Sequence, residues 1–200
     1  LVIFINIVKT YTNVFKAFTD AAFQVGSIIT TTGYSTTDFD LWPGTSKTIL
    51  VMLMFVGACA GSTGGGIKVS RFLIMFKTVV KELRSYIHPK SIQKIKMDDK
   101  PVPHEVVRSV NVYGITFITI FAASIFLLSL DGKDLITNFT AVATTLNNIG
   151  PGLNLVGPTR NFDLFSPFAK FVLMFDMLAG RLELFPLLIL FHPTIWKEHK

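Results

Sequence analysis

Residues 109–130 carry no charged side chain, and no other feature limits the possible folds of this chain as strongly. A helix needs about 20 mostly apolar residues to cross the hydrocarbon of a bilayer. The Ser, Thr and Asn residues inside the stretch predict packing against other helices as well as lipid. Composition points the same way: half of the residues are hydrophobic and 16% are charged, against about a quarter charged in a soluble domain. The expected class is an all-α membrane protein.

A second uncharged stretch, 48–67, is not a simple helix. Its first half is strongly apolar, and its second half reads Gly57-Ala58-Cys59-Ala60-Gly61-Ser62-Thr63-Gly64-Gly65-Gly66. Each glycine costs about 1 kcal/mol against alanine inside a helix, so the cluster predicts a break. Irregular backbone at membrane depth is tolerated where it is buried in protein or lines a water-filled cavity. The break therefore marks a pathway. A helical pattern resumes over 69–80. The last long segment, 165–195, contains Lys170, Asp176, Arg181 and Glu183. Arg181 and Glu183 fall near its middle and are expected inside a bundle. The chain opens in a hydrophobic run, 1–8, expected to be the tail of a helix that starts upstream. It has neither the basic flank nor the cleavage site of a signal peptide.

Two apolar segments, 15–29 and 135–146, are too short to span. Each leads into a glycine turn: Thr30-Thr31-Thr32-Gly33-Tyr34-Ser35 and Asn147-Asn148-Ile149-Gly150-Pro151-Gly152. Short helices followed by non-helical backbone are the pattern of re-entrant loops. The same order, short helix, turn, polar stretch and long helix, occurs twice. Lys, Leu, Met and Gly recur in register between 47–57 and 170–180, with a modest insertion needed to align Gly33 with Gly150. The expected units are 1–84 and 106–200, joined by a basic loop at 85–105. If that loop and the C-terminus share one side, the units are parallel repeats about an axis along the membrane normal. The alignment sets Ala58 against Arg181, placing 61–66 just below Arg181 and Glu183.

The net charge is +6, from 19 basic and 13 acidic residues. The excess gathers between the hydrophobic segments, at Lys77, Lys81, Arg84, Lys90, Lys94, Lys96, Lys100 and Arg108. Short basic loops stay on the cytoplasmic side, and a nucleic-acid partner is not expected. No nucleophile–base pair suggests an enzyme. The histidines (His88, His104, His192, His199) form no ligand cluster, and Cys59 is the single cysteine. The run 61–66 fails as a phosphate loop, because Ile67 stands where the lysine belongs. Asp38, Asp40 and Asp163 are expected as solvated acids of the outer loops with at most weak attraction for cations. Lys68 and Arg71 are expected to snorkel at the inner interface.

The turns suggest a chemistry. A potassium ion sheds water when oxygens replace it, and potassium channels use rings of backbone carbonyls from Thr-Val-Gly-Tyr-Gly loops. Glycine lets the backbone aim its carbonyls at one axis. Thr31, Thr32, Gly33 and Tyr34 fit one filter wall, and Asn148, Ile149, Gly150 and Pro151 fit a second. Potassium would be held at Thr31, Thr32, Gly33, Asn148, Ile149 and Gly150. The short helices aim their negative dipole ends at these turns. A transporter of another cation or a small solute, with its site at the broken helix, is the alternative.

With these turns, the 57–68 segment and Gly180-Arg181-Leu182-Glu183, the chain resembles the C-terminal half of potassium-uptake subunits of the Trk/Ktr/HKT superfamily, in its TrkH-type branch. The resemblance covers almost the whole chain. It implies four helix–loop–helix units around one pore, of which this chain supplies the third and fourth, in a multi-pass protein of the bacterial inner membrane. It implies a gate formed by Gly61, Ser62, Thr63, Gly64, Gly65 and Gly66, with Arg181 as a positive barrier and Glu183 beside it. A structural Arg181–Glu183 ion pair stays open as the alternative. It also implies a homodimer and a TrkA-like, nucleotide-binding regulatory subunit on the cytoplasmic face. Potassium is the transported ion, and no organic cofactor is implied.

Overall fold

In a computed structural model of the chain, residues 1–57, 64–88, 94–98, 100–182 and 189 are described. A short helix α1 (Val2–Ile7) passes through a 3-10 turn into α2 (Val14–Ile29), which descends to the first glycine turn. The polar stretch that follows leads to α3 (Gly44–Phe55). That helix stops at a two-residue strand β1 (Val56–Gly57), which pairs in parallel with β2 (Ile67–Lys68). Helix α4 (Val69–Ile87) then leads to a small antiparallel hairpin, β3 (Lys96–Met97) with β4 (Lys100–Pro101). The second unit follows: α5 (His104–Ser129), α6 (Leu135–Leu146) and α7 (Pro167–Leu182).

At 1.5 Å per residue, the 26 residues of α5 span about 39 Å, enough to cross a hydrocarbon core of about 30 Å. Its outer face, with Ile115, Ile118 and Phe126, is exposed, while Tyr113, Phe117, Ser124 and Leu128 are buried. An apolar face turned outward along a whole helix suits lipid or neighbouring membrane helices rather than water. The 12 residues of α6 reach about 18 Å, so this helix cannot span. It is nonetheless the most enclosed element, with every residue from Thr140 to Leu146 buried. Both short helices are capped at their outer ends: Asn13 accepts from the Phe15 and Lys16 amides, and Asp134 from the Thr137 amide.

The two units match in backbone detail. Helix α3 starts at Gly44 and α7 at Pro167, each preceded by a 3-10 turn of sequence Phe-Asp-Leu, 39–41 and 162–164. Lys47 bridges back to Asp40 at 3.6 Å, and Lys170 to Asp163 at 2.8 Å. Inside the second unit, the Ser124 hydroxyl of α5 donates to the buried Asp176 of α7 at 2.7 Å. The units dock through Phe55, Phe121 and Phe139, whose rings lie 5.2–6.2 Å apart. Outside this contact, Asp40 accepts from the Asn154 amide at 3.0 Å and Asp38 from the Thr159 hydroxyl at 3.1 Å. The acids expected to be merely solvated thus lace the polar stretches together. Asp38 and Asp40 each meet a donor from the other unit, which sequence spacing could not reveal, while Asp163 stays paired with Lys170 of its own unit.

Candidate functional site

The two glycine turns have the same backbone. Thr31 and Asn148 both stand at φ 54°, and Gly33 and Gly150 at φ 80° and 111°. The hydrogen bonds repeat with them. The Thr30, Thr31 and Thr32 amides donate to Gly26, Ile28 and Ser27 carbonyls; the Asn147, Asn148 and Ile149 amides donate to Ala143, Thr145 and Thr144. Three amides of each turn are thus spent on the end of its own short helix. The carbonyls are treated differently. Among the described residues, those of Thr31, Thr32, Gly33, Asn148, Ile149 and Gly150 accept no hydrogen bond. Ile149 is buried, Thr31, Gly33 and Asn148 are half-buried, and Thr32 and Gly150 are exposed; six carbonyls without a protein partner in two matched turns form a set of oxygen ligands suited to a bare cation.

The turns also touch. A side chain at Gly33 would collide with the Ile149 carbonyl, so glycine is required there by both conformation and space. The Tyr34 side chain is exposed, and Pro151 is half-buried.

The described part of the glycine-rich break lies directly against both turns. The Gly65 amide donates to Thr31 Oγ1 at 3.3 Å. A Cβ on Gly65 would meet the Asn147 carbonyl and the Asn148 side chain. Gly64 is held by Lys68, whose Nζ donates to its carbonyl. Lys68 is buried, which corrects the expectation of a snorkelling anchor: its ammonium folds back to satisfy the open backbone of the break. Arg71 instead lies over the Tyr113 ring, 4.3 Å from its centre. Gly61, Ser62, Thr63 and Glu183 lie outside the described residues.

On the other side, α7 passes close beneath the second turn. Gly180 abuts the Leu146 carbonyl, where a side chain would collide, and Asn148 Nδ2 donates to the Met177 carbonyl at 3.1 Å. Gly65 and Gly180 therefore meet the second turn at the same place, next to Asn148. Arg181 is exposed in the last turn of α7. Gly180 takes the face against α6, and the next residue projects about 100° around the helix.

In the outer loops, hydrogen bonds hold several carboxyls below their ordinary range. Asp131 is lowered by the Ser166 hydroxyl and amide, and Asp134 chiefly by the Thr137 hydroxyl. Asp163 is lowered by the Lys170 ammonium. The sequence reading missed a polar stripe on α2. Asp20, Gln24 and Ser27 stand one turn apart in an otherwise apolar helix and are all buried; their spacing was the signal.

Two matched re-entrant turns and a broken helix against them already describe a membrane transport architecture. A family model described as cation transport protein, TrkH, matches residues 5–198. The chain belongs to the TrkH family. It is 41% identical over 200 residues to the Trk system potassium uptake protein TrkH of Vibrio parahaemolyticus, covering 99% of this chain and 41% of that protein. The corresponding protein of Escherichia coli (strain K12) is 38% identical over 190 residues, covering 95% of this chain and 39% of that one. The crystal structure of the potassium transporter TrkH from Vibrio parahaemolyticus superposes with a TM-score of 0.88, over 98% of this chain and 42% of that one. The all-α membrane fold is thus the TrkH fold, and the chain spans about two fifths of the length of these relatives.

Proposed function

We propose that this chain supplies two walls of a potassium pathway across the bacterial inner membrane, in a protein that moves the ion along a row of backbone carbonyls. The observation that carries this reading is the set of six carbonyls, in two turns of matched backbone, that accept no hydrogen bond among the described residues while the amides of Thr31, Thr32, Gly33, Asn148 and Ile149 are spent on the short helices. Two walls cannot ring an ion, so the remaining walls come from other parts of the transporter; the TrkH relatives are longer than this chain. In the same reading the 61–66 segment is a gate, seated against the turns through Gly65, and Arg181 adds positive charge at that level. The named relatives are potassium uptake and potassium transporter proteins. Assembly as a homodimer with a cytoplasmic nucleotide-binding regulatory subunit belongs to this proposal, with the basic stretch after α4 as the contact.

Rubidium uptake by the full-length transporter tests it. Gly33→Asp and Gly150→Asp are each expected to abolish uptake while the protein still inserts in the membrane. Arg181→Ala, or deletion of residues 64–66, is expected to raise it. Uptake that survives both glycine substitutions sinks the filter assignment.

A further inference from the structure

The stripe on α2 meets the chain leaving the first turn in reverse order, like the teeth of a zip. The Ser27 hydroxyl donates to the Tyr34 carbonyl at 2.6 Å. The Gln24 amide donates to Ser35 Oγ at 2.7 Å and to the Thr37 carbonyl at 3.5 Å. The Thr36 hydroxyl donates to Asp20 Oδ1 at 2.9 Å. Ser35 completes the set by donating to the Thr37 carbonyl at 2.6 Å. The three helix residues are 1–7% exposed, so on the helix side a polar group left unpaired is costly, while the loop residues they hold, Tyr34, Ser35 and Thr36, are exposed.

Ser27 is the pivot. Its own carbonyl accepts from the Thr32 and Gly33 amides at 2.9 and 3.4 Å, while its hydroxyl takes the Tyr34 carbonyl. One residue therefore pins both flanks of the turn and draws the Tyr34 carbonyl back toward α2. The free carbonyls of Thr31, Thr32 and Gly33 are left as the wall's ligands. The second turn has no such backing. The matching positions on α6 are Thr137, Ala141 and Thr144. Thr137 turns its hydroxyl to Asp134, and Thr144 to the Ala141 carbonyl. Among the described residues of α6, Thr140 alone reaches across, accepting from the Leu153 amide at 3.2 Å.

We propose that Asp20, Gln24 and Ser27 are positioning residues that fix the carbonyls of the first wall, and through that spacing set its preference for potassium over sodium. The proposal rests on the filter reading above. Selectivity depends on the size of the carbonyl cage and the field its oxygens exert, and both change if the wall is free to relax. The second wall, which α6 backs through Thr140 alone, contributes less to the discrimination.

The test compares rubidium and sodium uptake by the full-length transporter in cells lacking other potassium uptake. Ser27→Ala and Gln24→Leu are each expected to lower the rubidium-to-sodium ratio about tenfold, the scale of one lost buried hydrogen bond, while rubidium still enters. Ser27→Thr, which keeps the hydroxyl, is expected to restore the ratio. Thr36→Val removes the donor to Asp20 from the loop side, and it reports on the same zip should a helix variant fail to insert. Ratios unchanged in all three disrupting variants, at parental membrane levels, overturn the proposal. Gly33→Asp run in parallel separates the two readings. If it abolishes uptake and the ratios do not move, the zip alone is wrong; if uptake survives it, the filter assignment falls and the zip with it.

Discussion

Thr31 occupies left-handed backbone at φ 54°, a conformation that a β-branched residue adopts at a cost of about 1 kcal/mol or more. Its counterpart in the second turn is Asn148 at the same φ, a residue type that tolerates this region. The strain at Thr31 is held in place by the amides locked to α2 and by the Gly65 amide on its hydroxyl. Thr31→Asn is expected to stabilise the protein by about 1 kcal/mol by relieving the backbone. Thr31→Val, which keeps the branching and loses the hydroxyl, is expected to destabilise it. Thermal unfolding of the purified full-length protein in detergent ranks the three; an asparagine variant that melts below the parent contradicts the strain argument.

The long helices α3 and α7 start alike and end differently. Each is set by a Phe-Asp-Leu turn and a lysine reaching back to its aspartate, yet α3 stops at Phe55 while α7 runs through Gly180 to Leu182. One glycine costs a helix about 1 kcal/mol, which packing against α6 repays at Gly180. The glycine cluster after Gly57 multiplies that cost, and the chain leaves the helix to pair β1 with β2 instead. At the outer ends, the caps make the elements sensitive to acid. Asp131 and Asp134 are held below the ordinary carboxylate value of 3.8 by the groups they accept from. A lowered folded value means that the charged form is favoured by folding. The contribution is full at neutral pH, fades as pH falls below about 4, and is gone once the folded form is protonated. Asp134→Ala is expected to cost about 1 kcal/mol at pH 7 through the lost cap on α6. The gap in melting temperature between parent and variant should close on titration from pH 7 to pH 3. A gap that persists in acid means the cap acts through packing rather than charge.

At the scale of the whole molecule, the two units are joined by an apolar contact within the bundle and polar lacing outside it. Phe121 of α5 stands edge-on to both Phe55 of α3 and Phe139 of α6. Aromatic pairs of this kind add about 0.5–1.5 kcal/mol beyond burial. Phe55 is also the last residue of α3 before the break, so the docking of the units sits immediately beside the start of the glycine-rich segment. Phe121→Ala is expected to destabilise the transporter by about 2–3 kcal/mol, below the usual range for a fully enclosed phenylalanine. Phe121→Leu should recover part of this loss. Melting of the detergent-solubilised variants checks the order; equal melting of all three denies the ring cluster any part in joining the units.

The sequence alone determined the membrane class, because 109–130 has no charge to place in lipid, and it located both turns, because glycine in a polar break between apolar helices has few uses at membrane depth. It also exposed the repeat, since equal spacing of Lys, Met and Gly survives in the chain. It could not show what meets what across the units. That Gly65 rests on Thr31 and Asn147, that Lys68 turns inward to Gly64, that Arg181 projects away from α6, and that Asp38 and Asp40 bind the other unit all depend on long-range packing. These contacts join residues up to 121 positions apart, and no local periodicity carries that information. The tertiary structure also separated two turns that look alike in sequence. The first is backed by three side chains of α2, the second by Thr140 of α6 and by its own Asn148 reaching α7, and the difference lies in which polar groups the folded helices bring within hydrogen-bonding distance.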